Sequence, residues 1–406
     1  MIKVKGGVTA PKGFLASGVK AGIKVSGKKD LALIYSEVPA VAAGALTTNR
    51  CKAAPVKVSL THLNAKTHQS IIVNSGNANC ANGKTGQRDA HAMTSGVAKL
   101  LKIDERMVLV ASTGIIGQAL PVEKIEKALP ALVHELAKDK GTDFADAIMT
   151  TDTKRKELAV KIKLGASEVT IGGSCKGVGM LYPEMKTAMH ATMLAFITTD
   201  ASISKKMLEE SCDEAVWGSF NMVSVDGDMS TNDTCFIMAN GLAGNKKITG
   251  KDANYKKFTE AFKYLAGELA KMLAADGEGA TKLVEILVKG ARTVEEARAM
   301  ARKISISNLL KCAIFGSDPN WGRIVASAGA SGVDFDIDKT DVYLGPVKAL
   351  SNGSIDASFT KDKARRYFKD KNVYITVDLK SGRSFARAWT CDFSKEYVTI
   401  NSEYST

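Results

Sequence analysis

The sequence predicts a layered fold of sheets and helices, α/β or α+β, and three observations point there. Short runs such as residues 193–198 and 234–239 are almost wholly apolar, as strands covered on both faces are. Longer segments carry apolar residues at the helical period. The two kinds of segment mix without strict βαβ alternation, which favours stacked layers over a barrel.

In chain order, strands are expected at 31–36, 70–74 and 107–111, with a helix over 87–101 between the last two. A helix over 122–137 follows, and Pro121 suits its first turn, where a missing N–H costs nothing. Strands are expected at 157–164 and 193–198. Between them the glycine-rich stretch 171–179 reads as the best internal boundary. A helix over 202–217 has Ser202 as its candidate cap, and a strand at 234–239 and a helix over 255–274 come next. A strand at 281–288 leads to a helix over 294–310, opened by the box Thr293-x-x-Glu296, whose two side chains can each satisfy a free N–H. The last expected strand is 372–379. No segment repeats, and 8 prolines in 406 residues argue against a long disordered linker.

Composition narrows the function classes. No stretch approaches the roughly 18 consecutive apolar residues of a membrane span, and the opening MIKVKGGVTAPKGF lacks a secretory apolar core, so a cytoplasmic protein is expected. The seven cysteines (51, 80, 175, 212, 235, 312, 391) are odd in number and scattered, with no CxxC pair, so neither a zinc site nor a disulfide framework is expected. The net charge of +13 comes from lysines spread along the chain, often singly or paired as at 28–29 and 256–257. Without an arginine–aromatic motif this reads as a solvated basic surface rather than a nucleic-acid site.

The most informative segment is KGVGMLYPEMKTAMHATMLAFITTDA, residues 176–201. A loop broken by glycines and Pro183 runs into Ala191-Thr192 and then directly into an apolar strand. A threonine at that junction, freed by a cut before it, would carry both a hydroxyl and an α-amino group. The amine, with a pKa near ~7.7–8.0, is then the base for its own neighbouring nucleophile. His190 is close in sequence but reads as a solvated loop residue.

This segment resembles the self-processing site of the ornithine acetyltransferases (glutamate N-acetyltransferases). Further motifs match in the same order: NSGNAN at 74–79, ASTGI at 111–115, MTTDT at 149–153, VDGD at 225–228 with STND at 230–233, DGEGATK at 276–282, DPNWGR at 318–323 and INSEYST at 400–406. The resemblance implies an αββα sandwich of the kind shared with β-peptidyl aminopeptidases, and cleavage between Ala191 and Thr192 into chains 1–191 and 192–406. It implies acetyl transfer from N2-acetyl-L-ornithine to L-glutamate in the cyclic pathway of arginine biosynthesis, with acetyl-CoA as a second donor in some members. No cofactor or metal is implied, and the family assembles as a heterotetramer of two cleaved chains.

The residue roles carried over are these. Thr192 is the nucleophile, and Thr113 and Gly114 stabilise the oxyanion. Thr153, Lys176, Thr192, Glu278, Asn401 and Thr406 hold the amino-acid substrate, with Lys176 suited to a carboxylate and Glu278 to an ammonium. Two departures stand out: Val178 replaces a serine, and residues 186–190 are an excess that creates a rival nucleophile, Thr187. Thr192 is preferred because Ala191 precedes it and the full MLAFITTDA run follows. Two alternatives remain open at this point: an autoprocessed amidase of similar fold, and a P-loop protein suggested by ANCANGKT at 78–85. The P-loop reading is weakened by alanine at the first glycine position and by the lack of a strand ending in a magnesium-binding Asp.

Overall fold

The computed structural model describes residues 1–186 and 193–403. Ten strands form the larger sheet: β1 (Ile2–Val4), β2 (Phe14–Val19), β3 (Leu31–Thr47), β4 (His68–Asn77), β5 (Val108–Ile115), β6 (Lys156–Leu164), β7 (Ser167–Lys176), β8 (Met185–Lys186), β9 (Leu194–Thr199) and β10 (Thr234–Ala239). Its main path runs β1-β6-β7-β9-β10-β3-β4-β5. Six more strands form a second sheet: β11 (Leu283–Ala291), β12 (Asp341–Leu344), β13 (Val347–Ser351), β14 (Ser354–Ile355), β15 (Asn372–Asp378) and β16 (Ser384–Cys391). The helices are α1 (Ala54–His62), α2 (Gly83–Leu101), α3 (Val122–His134), α4 (Gly141–Ile148), α5 (Lys205–Trp217), α6 (Ala253–Ala275), α7 (Val294–Ser305), α8 (Asn308–Phe315), α9 (Trp321–Gly329), α10 (Lys361–Phe368) and α11 (Lys395–Glu403).

β3 makes the large sheet fold over on itself. Its first half pairs with β2 and β4, its second half with β10, and the register shifts between Tyr35 and Ala40 where Pro39 interrupts the ladder. Two sheet halves thus lie face to face. Between them pack Ala42, Leu194, Phe196, Phe236 and Met238 from one half and Ile34, Ile71, Val73 and Leu109 from the other. Phe144 of α4 joins that layer and meets Phe196 edge-on, with ring centroids 5.3 Å apart. The alternate residues point outward: Ala195, Ile197 and Ile237 pack on Phe258, Phe262 and Leu265 of α6, while Leu33, Ile72 and Val110 pack on Val58, Met93 and Leu129 of α1, α2 and α3. The order is helix, sheet, sheet, helix, the αββα sandwich expected. The second sheet turns Val284, Ile286 and Val288 into the same core as α6 and α7.

Residues 171–176 are no boundary. They lie in β7, hydrogen-bonded on one side to β6 and on the other to β9. The glycines there serve close packing: a Cβ on Gly172 would stand 2.0 Å from Gly7 O, and one on Gly173 would stand 2.6 Å from Ile197 Cδ1. The helix expected over 294–310 is two helices, because the Ser307 side chain accepts from Leu310 N and starts α8. Ser204, not Ser202, caps α5, and Pro121 sits just before the first turn of α3 rather than in it. The Thr293 cap stands, accepting from Glu296 N at 3.2 Å, while the Glu296 carboxylate reaches Arg292 N.

Phe196→Ala should lower unfolding stability by about 3–5 kcal/mol through the cavity left in the inter-sheet layer. Urea melts read this, and a loss under 1 kcal/mol would mean that the two halves are not packed as described.

Candidate active site

Pairing brings the ends of five strands to one place. Lys176 at the end of β7 lies opposite Leu194 at the start of β9, which lies beside Thr234 at the start of β10. The ends of β4 and β5 meet next to them, with Gly76 beside Gly114. They enclose a cavity of about 320 Å³, whose wall includes Thr113, Gly114, Lys176, Glu278 and Asn401. Five residues named from the sequence are thus gathered from positions up to 288 apart. Thr153 lines an adjoining depression instead, and Thr151 faces the cavity. Ala191, Thr192 and Thr406 lie outside the described residues, as do Thr187 and His190.

Gly114 has φ +130°, and a Cβ there would stand 2.3 Å from Gly76 C, so only glycine lets β5 close on the NSGNAN turn. Side chains lock the junction. Ser112 Oγ donates to Asn74 Oδ1 at 2.5 Å, and Asn74 Nδ2 to Asn77 O at 2.9 Å. Asn232 Nδ2 donates to Ala78 O at 2.6 Å and to Ser112 O at 2.8 Å, which ties STND to both other motifs. The stretch with P-loop spacing is committed to the same turn: Asn79 N donates to Asn77 Oδ1, and Asn79 Nδ2 to Gly86 O, each at 2.8 Å.

Lys176, 7% exposed, points its Nζ at Thr113 Oγ1, 3.0 Å away. Burial pushes its pKa down, and Asp152, Glu278 and Asp233 resist that fall. Across the cavity the buried Glu278 carboxylate accepts from Thr151 Oγ1 at 2.8 Å and from Asn401 Nδ2 at 3.0 Å. Glu278 N donates to Val178 O, and a Cβ on Gly179 would stand 2.3 Å from Glu278 Oε2. Glycine at 179 is therefore what admits the carboxylate. Lys176 and Glu278 in the wall of one cavity offer a partner to each charge of a zwitterionic ligand.

Beneath the site lies a group the sequence reading passed over. Lys156 is 1% exposed, and its Nζ bonds Asp152 Oδ1 at 2.7 Å and Asp276 Oδ2 at 2.5 Å. Asp152 also accepts from Gly177 N at 3.0 Å and Thr150 N at 3.1 Å. Asp276 accepts from Thr153 N, Thr153 Oγ1 and Lys154 N. Burial works against each charge, yet Lys176 and Lys156 hold the Asp152 carboxyl below its ordinary range. The two carboxylates likewise hold the Lys156 ammonium above its own. Both acids stand within the matched motifs MTTDT and DGEGATK, which was the available signal.

The ArgJ family model matches residues 15–406. The chain belongs to the ArgJ family. The arginine biosynthesis bifunctional protein ArgJ of Caldanaerobacter subterraneus subsp. tengcongensis is 48% identical over 405 residues, covering 99% of each chain. The protein of the same name from Symbiobacterium thermophilum is 46% identical over 403 residues, again 99% of each. The solved structure of arginine biosynthesis bifunctional protein ArgJ from Bacillus halodurans aligns with 51% of this chain and 97% of its own, at 39% identity and a TM-score of 0.49. ArgJ membership agrees with the resemblance drawn from the motifs and sets aside the P-loop alternative.

Lys156→Met strands two buried carboxylates and should cost about 3–5 kcal/mol at neutral pH. The Asp152 pKa lies below its unfolded value in the native chain, so its contribution is present above that unfolded value and lost as pH falls through the folded one. In the variant Asp152 takes up its proton at higher pH, so the deficit against the native chain should narrow as pH drops from 7 towards 4. Denaturant melts across that range check it, and a deficit independent of pH would rule out the charge mechanism.

Proposed function

We propose that this chain is an ornithine acetyltransferase of arginine biosynthesis, carrying acetyl from N2-acetyl-L-ornithine to L-glutamate through an acetyl-Thr192 intermediate. Two findings support the reading: near-full-length identity to ArgJ proteins and a single cavity uniting Thr113, Gly114, Lys176, Glu278 and Asn401. The cavity carries it, because acyl transfer between amino acids needs an oxyanion site and a zwitterion site side by side.

Cleavage between Ala191 and Thr192, by attack of the Thr192 hydroxyl on the preceding carbonyl, would leave chains 1–191 and 192–406. The freed amine takes the hydroxyl proton as Oγ attacks the acetyl carbon. The oxyanion is met by the Thr113 hydroxyl and Gly114 N–H, and the Lys176 ammonium 3.0 Å from Thr113 Oγ1 adds positive potential. Ornithine leaves with that proton. Glutamate then occupies the same subsite and takes the acetyl group. Glu278, held by Thr151 and Asn401, receives the α-amino group of ornithine as it is released and of glutamate as it enters, the same nitrogen being a neutral amide in the acetylated donor, and Thr406, with Thr153 from the adjoining depression, completes the substrate shell. Exchange between two amines of similar basicity is near thermoneutral, so no nucleotide is called for. Acetyl-CoA is proposed as a second donor, in keeping with the word bifunctional in the relatives' names. A heterotetramer of two cleaved chains and a cytoplasmic location complete the reading. No helix among the described residues is long and apolar enough to cross a membrane.

Intact-mass measurement should give two fragments of roughly half the mass each, and one intact chain for Thr192→Ala. A fragment beginning at Thr187 would reassign the nucleophile. Thr113→Ala should lower kcat by about 10²–10³-fold with little change in KM, the mark of a donor used in the transition state. Ornithine release from N-acetylornithine should need stoichiometric glutamate, whereas sustained acetate release without glutamate would make the protein a hydrolase.

A further inference from the structure

The five histidines look scattered along the chain, yet the fold brings two of them together. The rings of His62 and His91 have their centroids 5.8 Å apart. Glu105 completes a cluster: one nitrogen of each ring and one oxygen of its carboxylate all lie within 4.8 Å of one another. His62 closes α1, His91 lies in α2, and Glu105 opens the short helical turn Glu105–Met107 that leads into β5. None of the three lines the active-site cavity.

His62 is 2% exposed, and its Nδ1 lies 2.7 Å from Val108 O. A carbonyl oxygen can only accept, so Nδ1 carries the hydrogen and the neutral ring keeps its free electron pair on Nε2. That second nitrogen makes no hydrogen bond among the described residues. A ring buried this deeply calls for a partner there. The groups gathered beside it are electron-pair donors too. His91 Nδ1 and Glu105 Oε1 stand 2.8 Å apart and share a hydrogen. The buried Thr94, three residues on from His91 and so on the same face of α2, donates its hydroxyl to that Glu105 oxygen at 2.8 Å.

These supporting bonds are the ones that metal ligands carry. A ligating imidazole donates its other N–H to a backbone carbonyl or carboxylate, and a ligating carboxylate is itself hydrogen-bonded. His62 meets the first condition through Val108 O, and Glu105 meets the second through Thr94. The turn that carries Glu105 is fixed as well, since the Asp104 side chain accepts from Arg106 N at 2.8 Å. Two imidazoles and one carboxylate suit zinc and its neighbours, whereas calcium and magnesium prefer oxygen alone. With bonds of about 2.0–2.1 Å, tetrahedral zinc ligands stand roughly 3.3 Å apart. The His91–Glu105 pair is already closer than that. The widest separation has to shrink by at most about 1.5 Å, which rotation of the exposed His91 ring can supply.

We infer that His62, His91 and Glu105 form a binding site for a zinc-class divalent cation, separate from the acetyl-transfer cavity, that fastens α1 and α2 to the turn leading into β5. The ligand atoms are His62 Nε2, His91 Nδ1 and one Glu105 oxygen, with water as the fourth. The cation takes the place of the hydrogen between His91 and Glu105, which passes to water or to the other nitrogen of His91. The scattered cysteines have no part in this site.

Untagged protein, stripped with a chelator and dialysed, can be titrated with Zn²⁺ against a chromophoric chelator. The native chain should take up one equivalent with a Kd of about 1 μM or tighter. Co²⁺ in its place should give the visible absorption of a tetrahedral site. His91→Gln and Glu105→Gln change residues that are not buried, so both variants should fold. Each should weaken Zn²⁺ binding at least about tenfold, the least that loss of even a supporting partner costs. His62→Asn keeps a donor for Val108 O and should abolish uptake; if it does not fold, the other two variants decide. Zn²⁺ should raise the Tm of the native chain and leave that of His91→Gln unchanged, because only a bound ion stabilises the folded state. Uptake by His91→Gln and Glu105→Gln equal to the native chain's would place the ion elsewhere, for instance on the exposed Cys51 or Cys312, and overturn the proposal. No uptake from excess Zn²⁺ by the native chain would overturn it as well.

Discussion

The site rests on one buried cation. Lys156 rises from β6 between Asp152 and Asp276 and binds both. Each acid in turn fixes backbone N–H groups of the 150–154 loop, and Asp152 fixes Gly177 at the end of β7. A buried triad of this kind adds little net stability over a well-packed apolar group, because desolvation offsets the attraction. Its worth here is geometric. Three segments distant in sequence are held at fixed hydrogen-bond distances, and Lys176, Glu278 and Thr151 are carried on those same segments.

Above that base, missing side chains matter as much as present ones. Gly114 and Gly179 each leave room that a Cβ would fill, the first for the turn around Asn77 and the second for the Glu278 carboxylate. Backbone N–H groups and charged side chains can thus approach a small ligand from opposite walls without intervening bulk. The protein is strongly basic, with a net charge of +13, yet among the described residues its cavity wall holds Asp226, Asp228, Asp233 and Glu278 against one cation, Lys176. Local arrangement rather than overall charge sets the potential that a ligand meets.

Legibility in the sequence followed the physics of each element. Central strands such as β9 and β10 are apolar on both faces and stood out, as did the amphipathic helices. β7 did not, because its glycines were chosen for close approach to Gly7 and Ile197 and so look like a break. The separation of α7 from α8 depended on one serine hydroxyl. At the site, matched motifs pointed to Thr113, Gly114, Lys176, Glu278 and Asn401, and the fold brings these together. The motifs did not single out Lys156, Asp152 and Asp276, whose pairing arises only when β6, the 150–154 loop and the end of α6 are brought together.

The strand order has a mechanical meaning for a chain cut between residues 191 and 192. β9 and β10 would then belong to the second fragment, but they are inserted between β7 and β3, which would belong to the first. Both outer edges of that two-stranded insert pair with strands of what would be the other fragment, and Phe196 and Phe236 are buried in the layer beneath. Such fragments would be interleaved rather than docked. The second fragment would own the whole of the six-stranded sheet, but neither would own the larger one, so pulling them apart would break that larger sheet.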